Sequence, residues 1–153
     1  MKRIAVLLLA VAMIALAGCS GGTAKTVDLN AVKDTLAAQY DLTDMMALSE
    51  DDILDVYGIK AEDVKQFVAL VARTSTSADE ILFFEAVDAD AAARVKEKVD
   101  ARYQAKLNEA KDYMPDEYEK ISACKVETSG NCVSLIVSAD AEAMTKLYQD
   151  AFK

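Results

Sequence analysis

The apolar side chains in the first part of the chain recur every three or four residues, which is the spacing of an amphipathic helix. Between Asp28 and Tyr40 the apolar positions are Leu29, Val32 and Leu36, and Tyr40 continues the same face. Asp28 stands where an N-cap carboxylate accepts a hydrogen bond from the helix backbone. The pattern predicts a first helix over residues 28–40.

Signals at both ends predict a second helix from Ser49 to Tyr57. Ser49 is an N-cap residue, three acidic residues follow it where the helix dipole favours negative charge, and Gly58 ends the segment. Residues 61–73 fit two structures, because their apolar positions match a helix and the unbroken run 67–72 equally matches a buried strand. We favour one helical turn followed by a strand, since residues 74–79 then form a hairpin loop.

A strand is predicted from Glu80 to Val87, followed by a long helix that Asp88 or Asp90 caps and that runs to about Tyr113. Pro115 then ends the helix, because the residue before a proline avoids the helical region. One face of this helix carries an apolar stripe, and Arg94, Lys98 and Arg102 lie off it. The stripe consists of Ala92, Val95, Val99, Tyr103, Leu107 and Ala110.

The last third of the chain predicts a hairpin and a helix. Its strands are Ser122–Val126 and Cys132–Ser138, joined at Ser129-Gly130 with Thr128 opposite Asn131. A final helix over 141–152 follows an Asp140 cap. In the expected register one face of the hairpin is apolar, comprising Cys124, Val126, Val133, Leu135 and Val137.

These elements predict an α+β fold, with a small antiparallel sheet of about four strands, helices packed on it, and further helices before it. In strand 80–87, Leu82 and Phe84 point to one side, which we call the first face. Ile81 and Phe83 point to the other side, the second face. Either the N-terminal helices cover the second face, or Ile81 and Phe83 form an exposed apolar binding face for a partner or an amphiphile.

The first nineteen residues have a different pattern, a basic start followed by an unbroken apolar run. Lys2 and Arg3 precede 14 residues without a polar side chain, from Ile4 to Ala17. The run is shorter than the roughly 20 residues of a membrane-spanning helix, and it is typical of a secretory signal peptide. Its ending, Leu16-Ala17-Gly18-Cys19, resembles a bacterial lipobox.

That resemblance implies a lipid-anchored protein on the extracytoplasmic face of the cell membrane. Residues 1–18 would be removed, and Cys19 would be lipidated and would begin the mature chain. Residues 19–27 would then be the lipidated cysteine and a flexible linker, and residues 28–153 a single domain. Two acyl chains hold a protein at a bilayer where one chain is marginal.

The charge of the mature chain narrows the choice of partners. After residue 18 there are 135 residues, with 15 basic and 26 acidic side chains and a net charge of −11. An acidic surface repels phosphate backbones and anionic head groups, so we expect no nucleic-acid partner. The expected contacts are the membrane through the lipid anchor, and an envelope protein or a small amphiphile.

Three local segments resemble a known family. The strand-to-helix segment 79–90, the post-helix turn 113–118, and Gly130-Asn131 followed by an apolar strand and a terminal helix are similar to the small bacterial lipoproteins of domain of unknown function 4358 (DUF4358). The resemblance implies an exported, lipid-anchored α+β domain. It implies no reaction and no catalytic residues.

Composition argues against most enzyme classes. The chain has no histidine, which removes Ser-His and Cys-His nucleophiles and the usual zinc sites, and its five glycines form no phosphate-binding loop. We predict no catalytic residues, no metal site and no cofactor. Three acidic clusters are caps or solvated surface in the simplest interpretation: Glu50, Asp51, Asp52 and Asp55; Asp88 and Asp90; and Asp116, Glu117 and Glu119.

The function predicted from these observations is a non-enzymatic binding or interaction module at the cell envelope. The alternative is an envelope-acting hydrolase or metal-dependent enzyme that uses the acidic clusters, which would require carboxylates from separate elements in one pocket.

Cys124 and Cys132 could form a disulfide in an exported protein. The predicted register places them on opposite faces of the hairpin, which argues against it.

Overall fold

A computed structural model describes residues 27–153 of the chain. The predicted leader, Cys19 and all of the linker except Val27 lie outside the described residues. The described elements, in order, are α1 Leu29–Ala37, β1 Met45–Ala47, α2 Glu50–Tyr57, β2 Val64–Ala72, β3 Glu80–Ala86, α3 Ala89–Tyr113, α4 Pro115–Ser122, β4 Val126–Ser129, β5 Cys132–Val137 and α5 Ala141–Ala151.

The strands form one antiparallel sheet in the order β1-β2-β3-β5-β4. The α+β class is confirmed, although the sheet has five strands rather than about four. The additional strand is β1, a three-residue edge strand in which Met45 pairs with Ala72 at the end of β2. So short a strand has too few residues to show a two-residue alternation in the sequence.

The predicted helix starts are confirmed at three positions. The Asp28 carboxylate accepts a hydrogen bond from the Asn30 N–H at 2.9 Å, and Asp88 accepts one from the Ala91 N–H at 2.8 Å. Ser49 forms a reciprocal capping box with Asp52. Asp140 also stands at the predicted N-cap position, directly before α5, but its side chain makes no capping hydrogen bond.

Residues 61–73, whose pattern fits both a helix and a strand, form the favoured arrangement of a short helical turn followed by a strand. A 3₁₀ turn spans Ala61–Asp63, and β2 follows it directly. Gly58 ends α2 with φ +66°, in the left-handed region that glycine adopts without a steric penalty.

The last hairpin forms with a different loop from the one predicted. Ser129 pairs with Cys132, so the loop is Gly130-Asn131 rather than Ser129-Gly130, and α4 continues to Ser122 before β4 begins. Gly130 has φ +57° and stands first in the loop, the position at which a type II′ turn requires a positive φ. The shift moves the pairing by two residues, so each side chain keeps its predicted face.

Helices cover both faces of the sheet. The first face, with Leu82 and Phe84, packs against α2, α3 and α4. The second face, with Ile81 and Phe83, packs against α1 and α5. The expectation that N-terminal helices cover the second face is therefore correct for α1 only, because Ile53 and Tyr57 direct α2 to the first face. Among residues 27–153, no helix has the length and apolar character needed to span a bilayer.

Candidate functional site

The apolar binding face predicted at Ile81 and Phe83 is not exposed in this structure. Ile81 is 1% exposed and Phe83 is 0% exposed. The Phe83 ring stacks on the Tyr148 ring of α5 with 4.5 Å between the ring centroids. These contacts correct the expectation of an open face, since α1 and α5 together remove both side chains from solvent.

Hollows remain on either side of α5, because one helix does not fill the space between α1 and the far edge of the sheet. The first is an apolar groove of about 450 Å³ between α1 and α5. Its volume lies in the usual range for ligand pockets. Its lining is mainly small and aliphatic, with Val27, Ala31, Val32, Leu147 and Ala151, and its polar residues are Asp28, Thr35 and Asp150.

The polar residues of the apolar groove already have partners. Asp28 caps α1, and the Asp150 carboxylate accepts hydrogen bonds from Lys153 at 2.6 Å and Lys146 at 2.9 Å. The bonds from these two lysines lower the pKa of Asp150. Both carboxylates of the groove are therefore already hydrogen-bonded within the protein, and the mainly aliphatic lining is suited to an alkyl chain rather than to an ion.

The second hollow is a polar pocket of about 280 Å³ between α5 and the hairpin of β4 and β5. Ser134 of β5 and Tyr148 of α5 are 4% and 3% exposed, and Glu127 of β4 is half-buried. The Glu127 carboxylate accepts a hydrogen bond from Gln149 at 2.7 Å. The half-buried ring of Phe152 closes one side and meets the Tyr148 ring edge-on, with 5.0 Å between the centroids.

The Tyr148 hydroxyl is buried without a satisfactory hydrogen bond. It lies near the Ser134 hydroxyl and the Cys132 thiol, yet it makes no hydrogen bond of good geometry to any described residue. Burial, with the nearby thiol, raises the pKa of Tyr148 well above its usual value. A buried polar atom without a partner destabilises a protein and usually indicates a water molecule or a ligand.

The three predicted acidic clusters do not meet in one pocket. Asp52 belongs to the capping box of α2, and Asp88 caps α3. Glu117 is not merely solvated. Its carboxylate accepts a hydrogen bond from the Ala78 N–H at 2.6 Å and forms an ion pair with Lys120 at 2.7 Å. In residues 27–153 there is no group of three or more Cys, Asp or Glu side chains that could hold a metal.

Carboxylates from separate elements, namely the 61–63 turn and α3, also line a hollow of about 430 Å³. Glu62, Asp63 and Glu97 line it, but so do basic residues. Asp63 is ion-paired with Arg94, whose Nε lies 3.2 Å from Asp63 Oδ1. The hydrogen bond from this guanidinium lowers the pKa of Asp63. The charges are therefore paired, which favours a structural link between the turn and α3.

A buried ionic cluster at the start of β3 was missed by the sequence analysis. Glu80 is fully buried, and its Oε1 accepts hydrogen bonds from the Tyr57 hydroxyl at 2.7 Å and the Arg102 guanidinium at 3.2 Å. Lys106 Nζ lies 3.5 Å from Oε2 and donates to the Ala78 carbonyl at 2.8 Å. Burial lowers the pKa of Lys106 and raises that of Tyr57.

The only available signal for this cluster was an acidic residue opening an apolar strand, together with two basic residues four apart on α3. The sequence pattern places Arg102 off the buried stripe of α3, whereas in the structure its guanidinium contacts Glu80. The cluster joins α2, β3 and α3. Because solvent does not reach Glu80, we assign it a structural role.

Cys124 and Cys132 are both free thiols. Cys124 is buried against the first face, and Cys132 lies near Tyr148 on the second face. The expectation that they are on opposite faces is confirmed. Burial raises the pKa of both thiols, which favours small core residues over reactive nucleophiles.

Comparison with known protein families finds a match over residues 38–138, to a family described as "Domain of unknown function (DUF4358)". This chain belongs to that family. No curated protein and no solved structure matches the chain. The matched range includes all five strands and the helices of the first face, whereas α1 and α5 lie outside it. A function for the second face must therefore be argued from the residues of this chain.

Proposed function

We propose that this DUF4358 protein is a bacterial lipoprotein anchored through Cys19 on the extracytoplasmic face of the cell membrane. Its domain is a non-enzymatic binding module that holds the alkyl chain of a small, neutral amphiphile in the apolar groove between α1 and α5. The observation that carries this proposal is the position of the groove, which lies beside Val27 at the start of the described domain.

The short segment between Cys19 and the domain and the position of the groove support the same proposal. Seven residues separate Cys19 from Val27, and a chain of that length spans at most about 25 Å when fully extended. The lipid-anchored domain would therefore stay near the bilayer surface. A groove next to the tether would face a high local concentration of membrane amphiphiles, which raises its occupancy without a high intrinsic affinity.

The chemistry of the groove selects the kind of amphiphile. Five aliphatic side chains offer apolar area, and burying apolar area contributes about 25 cal/mol per Å². Asp28 and Asp150 stand at the rim, and the net charge of the chain is −9. An anionic head group would be repelled, so the proposed ligand has a neutral head.

The anchor is tested by feeding cells an alkyne analogue of palmitate and measuring its incorporation into the protein. We expect label on the wild type and none on a Cys19→Ala variant, whose apolar leader stays attached. Cys132→Ala is the matched control and should retain the label. Absence of label from the wild type contradicts the lipoprotein proposal.

The groove is tested with a neutral amphiphile that carries a photoactivatable group on its alkyl chain. After illumination of intact cells, mass spectrometry should find crosslinks on α1 and α5, near Ala31 and Ala151. Ala31→Phe fills the groove and should reduce crosslinking at least tenfold. Ala93→Phe places the same ring on an exposed position of α3 and should leave the yield unchanged.

Two results would contradict the proposal that the groove binds an amphiphile. One is crosslinking of the wild type that Ala31→Phe does not reduce. The other is a photoactivatable group placed at Ala31 that captures an envelope protein in place of the lipid probe, which would make the groove a protein-docking surface. The alternative of a hydrolase or metal-dependent enzyme stays a prediction, with no supporting geometry at its three acidic clusters in the described residues.

A further inference from the structure

The polar pocket on the opposite side of α5 has no part in the proposed function, and its chemistry differs from that of the groove. A row of paired residues crosses the second face from β2 to β4, in the order Val68, Phe83, Ser134 and Glu127. Their side chains change from aliphatic to aromatic, then to hydroxyl, then to carboxylate. The second face therefore becomes polar where α5 ends its cover, and the pocket lies at that boundary.

The floor of the pocket contains one buried hydroxyl that the fold does not satisfy, that of Tyr148. Ser134 is the one hydroxyl residue in a strand of otherwise apolar residues and cysteine, and it is 4% exposed. The Tyr148 hydroxyl beside it makes no good hydrogen bond to a described residue. A tyrosine hydroxyl both donates and accepts hydrogen bonds, so leaving it buried and unpaired lowers the stability of the fold unless something in the pocket completes it.

The remaining polar groups of the pocket lie on its wall, where neighbouring side chains hold them in position. Glu127 is fixed between Lys125, whose Nζ lies 2.9 Å away, and the Gln149 amide nitrogen at 2.7 Å. The carboxylate retains lone pairs that can accept from a ligand hydroxyl, and the Gln149 amide oxygen is a further acceptor. Phe152 adds an apolar ring surface beside these polar atoms.

We propose that this pocket binds one ring of an uncharged, polyhydroxylated ligand, that is, a sugar unit. Its hydroxyl groups would form hydrogen bonds with the Tyr148 and Ser134 hydroxyls and donate to Glu127. Its apolar ring face would contact Phe152. The volume of about 280 Å³ suits one ring rather than a long chain. This inference uses neither Cys19 nor the apolar groove, so it stands independently of the proposed function.

Other ligand classes fit these groups less well. An anion would meet the Glu127 carboxylate, and the nearby ammonium of Lys125 is already paired with it. A divalent cation would find one carboxylate where Ca²⁺ takes six to eight oxygen ligands. A purely apolar ligand would leave the Tyr148 hydroxyl unpaired. An ordered water molecule is the remaining competitor, because buried waters bridge such groups in many proteins.

The test is a titration of the full-length protein, purified in a detergent without sugar groups, with D-glucose and with N-acetylglucosamine. Binding is followed by saturation-transfer NMR and by calorimetry. We expect saturable binding of at least one sugar. Tyr148→Phe removes one oxygen atom and keeps the ring that stacks on Phe83, and it should weaken binding about tenfold, as expected for one lost hydrogen bond.

Tyr113→Phe is the matched control, because Tyr113 is 81% exposed at the end of α3. It should bind the sugar like the wild type. Thermal unfolding of each variant establishes that the fold is retained. If neither sugar binds the wild type, or if Tyr148→Phe binds as tightly as Tyr113→Phe, the sugar site is overturned and the pocket holds water only.

Discussion

The first face of the sheet is covered by three helices, whereas the second face is covered by two. On the first face, α2, α3 and α4 bury Leu82 and Phe84 and also enclose the ionic cluster around Glu80. On the second face, α1 and α5 bury Ile81 and Phe83, but hollows remain on both sides of α5.

The two faces therefore differ in what they allow: the first face buries a charged cluster, and the second face leaves surface accessible for binding. A face closed by three helices can bury even a carboxylate, because Tyr57 and Arg102 hydrogen-bond to one oxygen of Glu80 and the Lys106 ammonium lies 3.5 Å from the other. A face closed by two helices buries its central residues equally well and leaves accessible surface at its margins. The candidate binding sites therefore lie beside the second-face core, and the fully covered residues are not the binding surface.

The largest expected effect comes from truncating the central phenylalanines of the two faces. Phe83→Ala and Phe84→Ala should each lower the free energy of unfolding by about 3–5 kcal/mol, because both rings are fully buried. Phe84→Ala should be the more costly, since the helices of the second face have hollows into which they can relax. Urea unfolding followed by circular dichroism measures both. A loss below about 1 kcal/mol for Phe83→Ala would mean that the second face is open.

A smaller effect is expected from breaking the buried ionic cluster of the first face. Lys106→Met removes one cation from Glu80 and the donor to the Ala78 carbonyl. We expect a loss of about 3 kcal/mol, the lower end for a broken buried pair, because Arg102 still contacts the carboxylate. The control Lys111→Met, at an exposed position of α3, should change stability by less than about 0.5 kcal/mol.

Adding Glu80→Gln to Lys106→Met also removes the buried carboxylate that has lost one of its two cations, while the partly exposed Arg102 stays hydrated. The double variant should therefore recover part of the loss, as a double-mutant cycle would show. If Lys106→Met and Lys111→Met are equally stable, the cluster does not contribute to closing the first face.

The smallest of the three effects concerns Glu117, which ties α4 to the loop before β3. Burial raises its pKa, but hydrogen bonds from Lys120 and the Ala78 N–H outweigh it, so the pKa of Glu117 is lowered from 4.5. A carboxyl with a lowered folded-state pKa stabilises the fold above its unfolded pKa, and this contribution disappears as the pH falls through the folded value.

Glu117→Gln should therefore lower stability at pH 7 by about 1.5–3 kcal/mol, the usual contribution of hydrogen bonds to a charged group. The difference from the wild type should shrink toward zero as the pH falls well below 4.5. Urea unfolding at a series of pH values measures it. A difference that stays constant with pH would show that the Glu117 charge is not responsible.

Local features of this protein were predictable because neighbouring residues decide them. The caps at Asp28, Ser49 and Asp88 depend on a side chain and a backbone N–H two or three residues away. The strand at 80–86 and the long helix α3 follow from periodicity and from a cap and a proline at the helix ends. For the same reason the hairpin was found, but its first strand is Val126–Ser129 rather than Ser122–Val126 and its loop begins one residue later than predicted.

The candidate sites were not predictable, because they depend on which distant segments meet. Nothing in residues 49–57 states that α2 packs with α3 rather than beside α1. No local pattern brings Tyr57, Arg102 and Lys106 to Glu80 across 22 to 26 residues of sequence. The polar pocket likewise requires β4, β5 and α5 together, although the single Ser134 in an apolar strand was a signal that could have indicated it.

The sequence by itself determined most of the elements, the starts of α1, α2 and α3, the α+β class and the two apolar sides of strand 80–86, because short-range hydrogen bonding and side-chain alternation suffice for these. Only the tertiary structure decided that Ile81 and Phe83 are covered and that the accessible surface lies on either side of α5. The physical reason is that coverage depends on the width of the packed helices relative to the width of the sheet. At the usual spacing of about 4.8 Å, five strands are wider than two helices of about 10 Å each, and no residue in the chain encodes that difference locally.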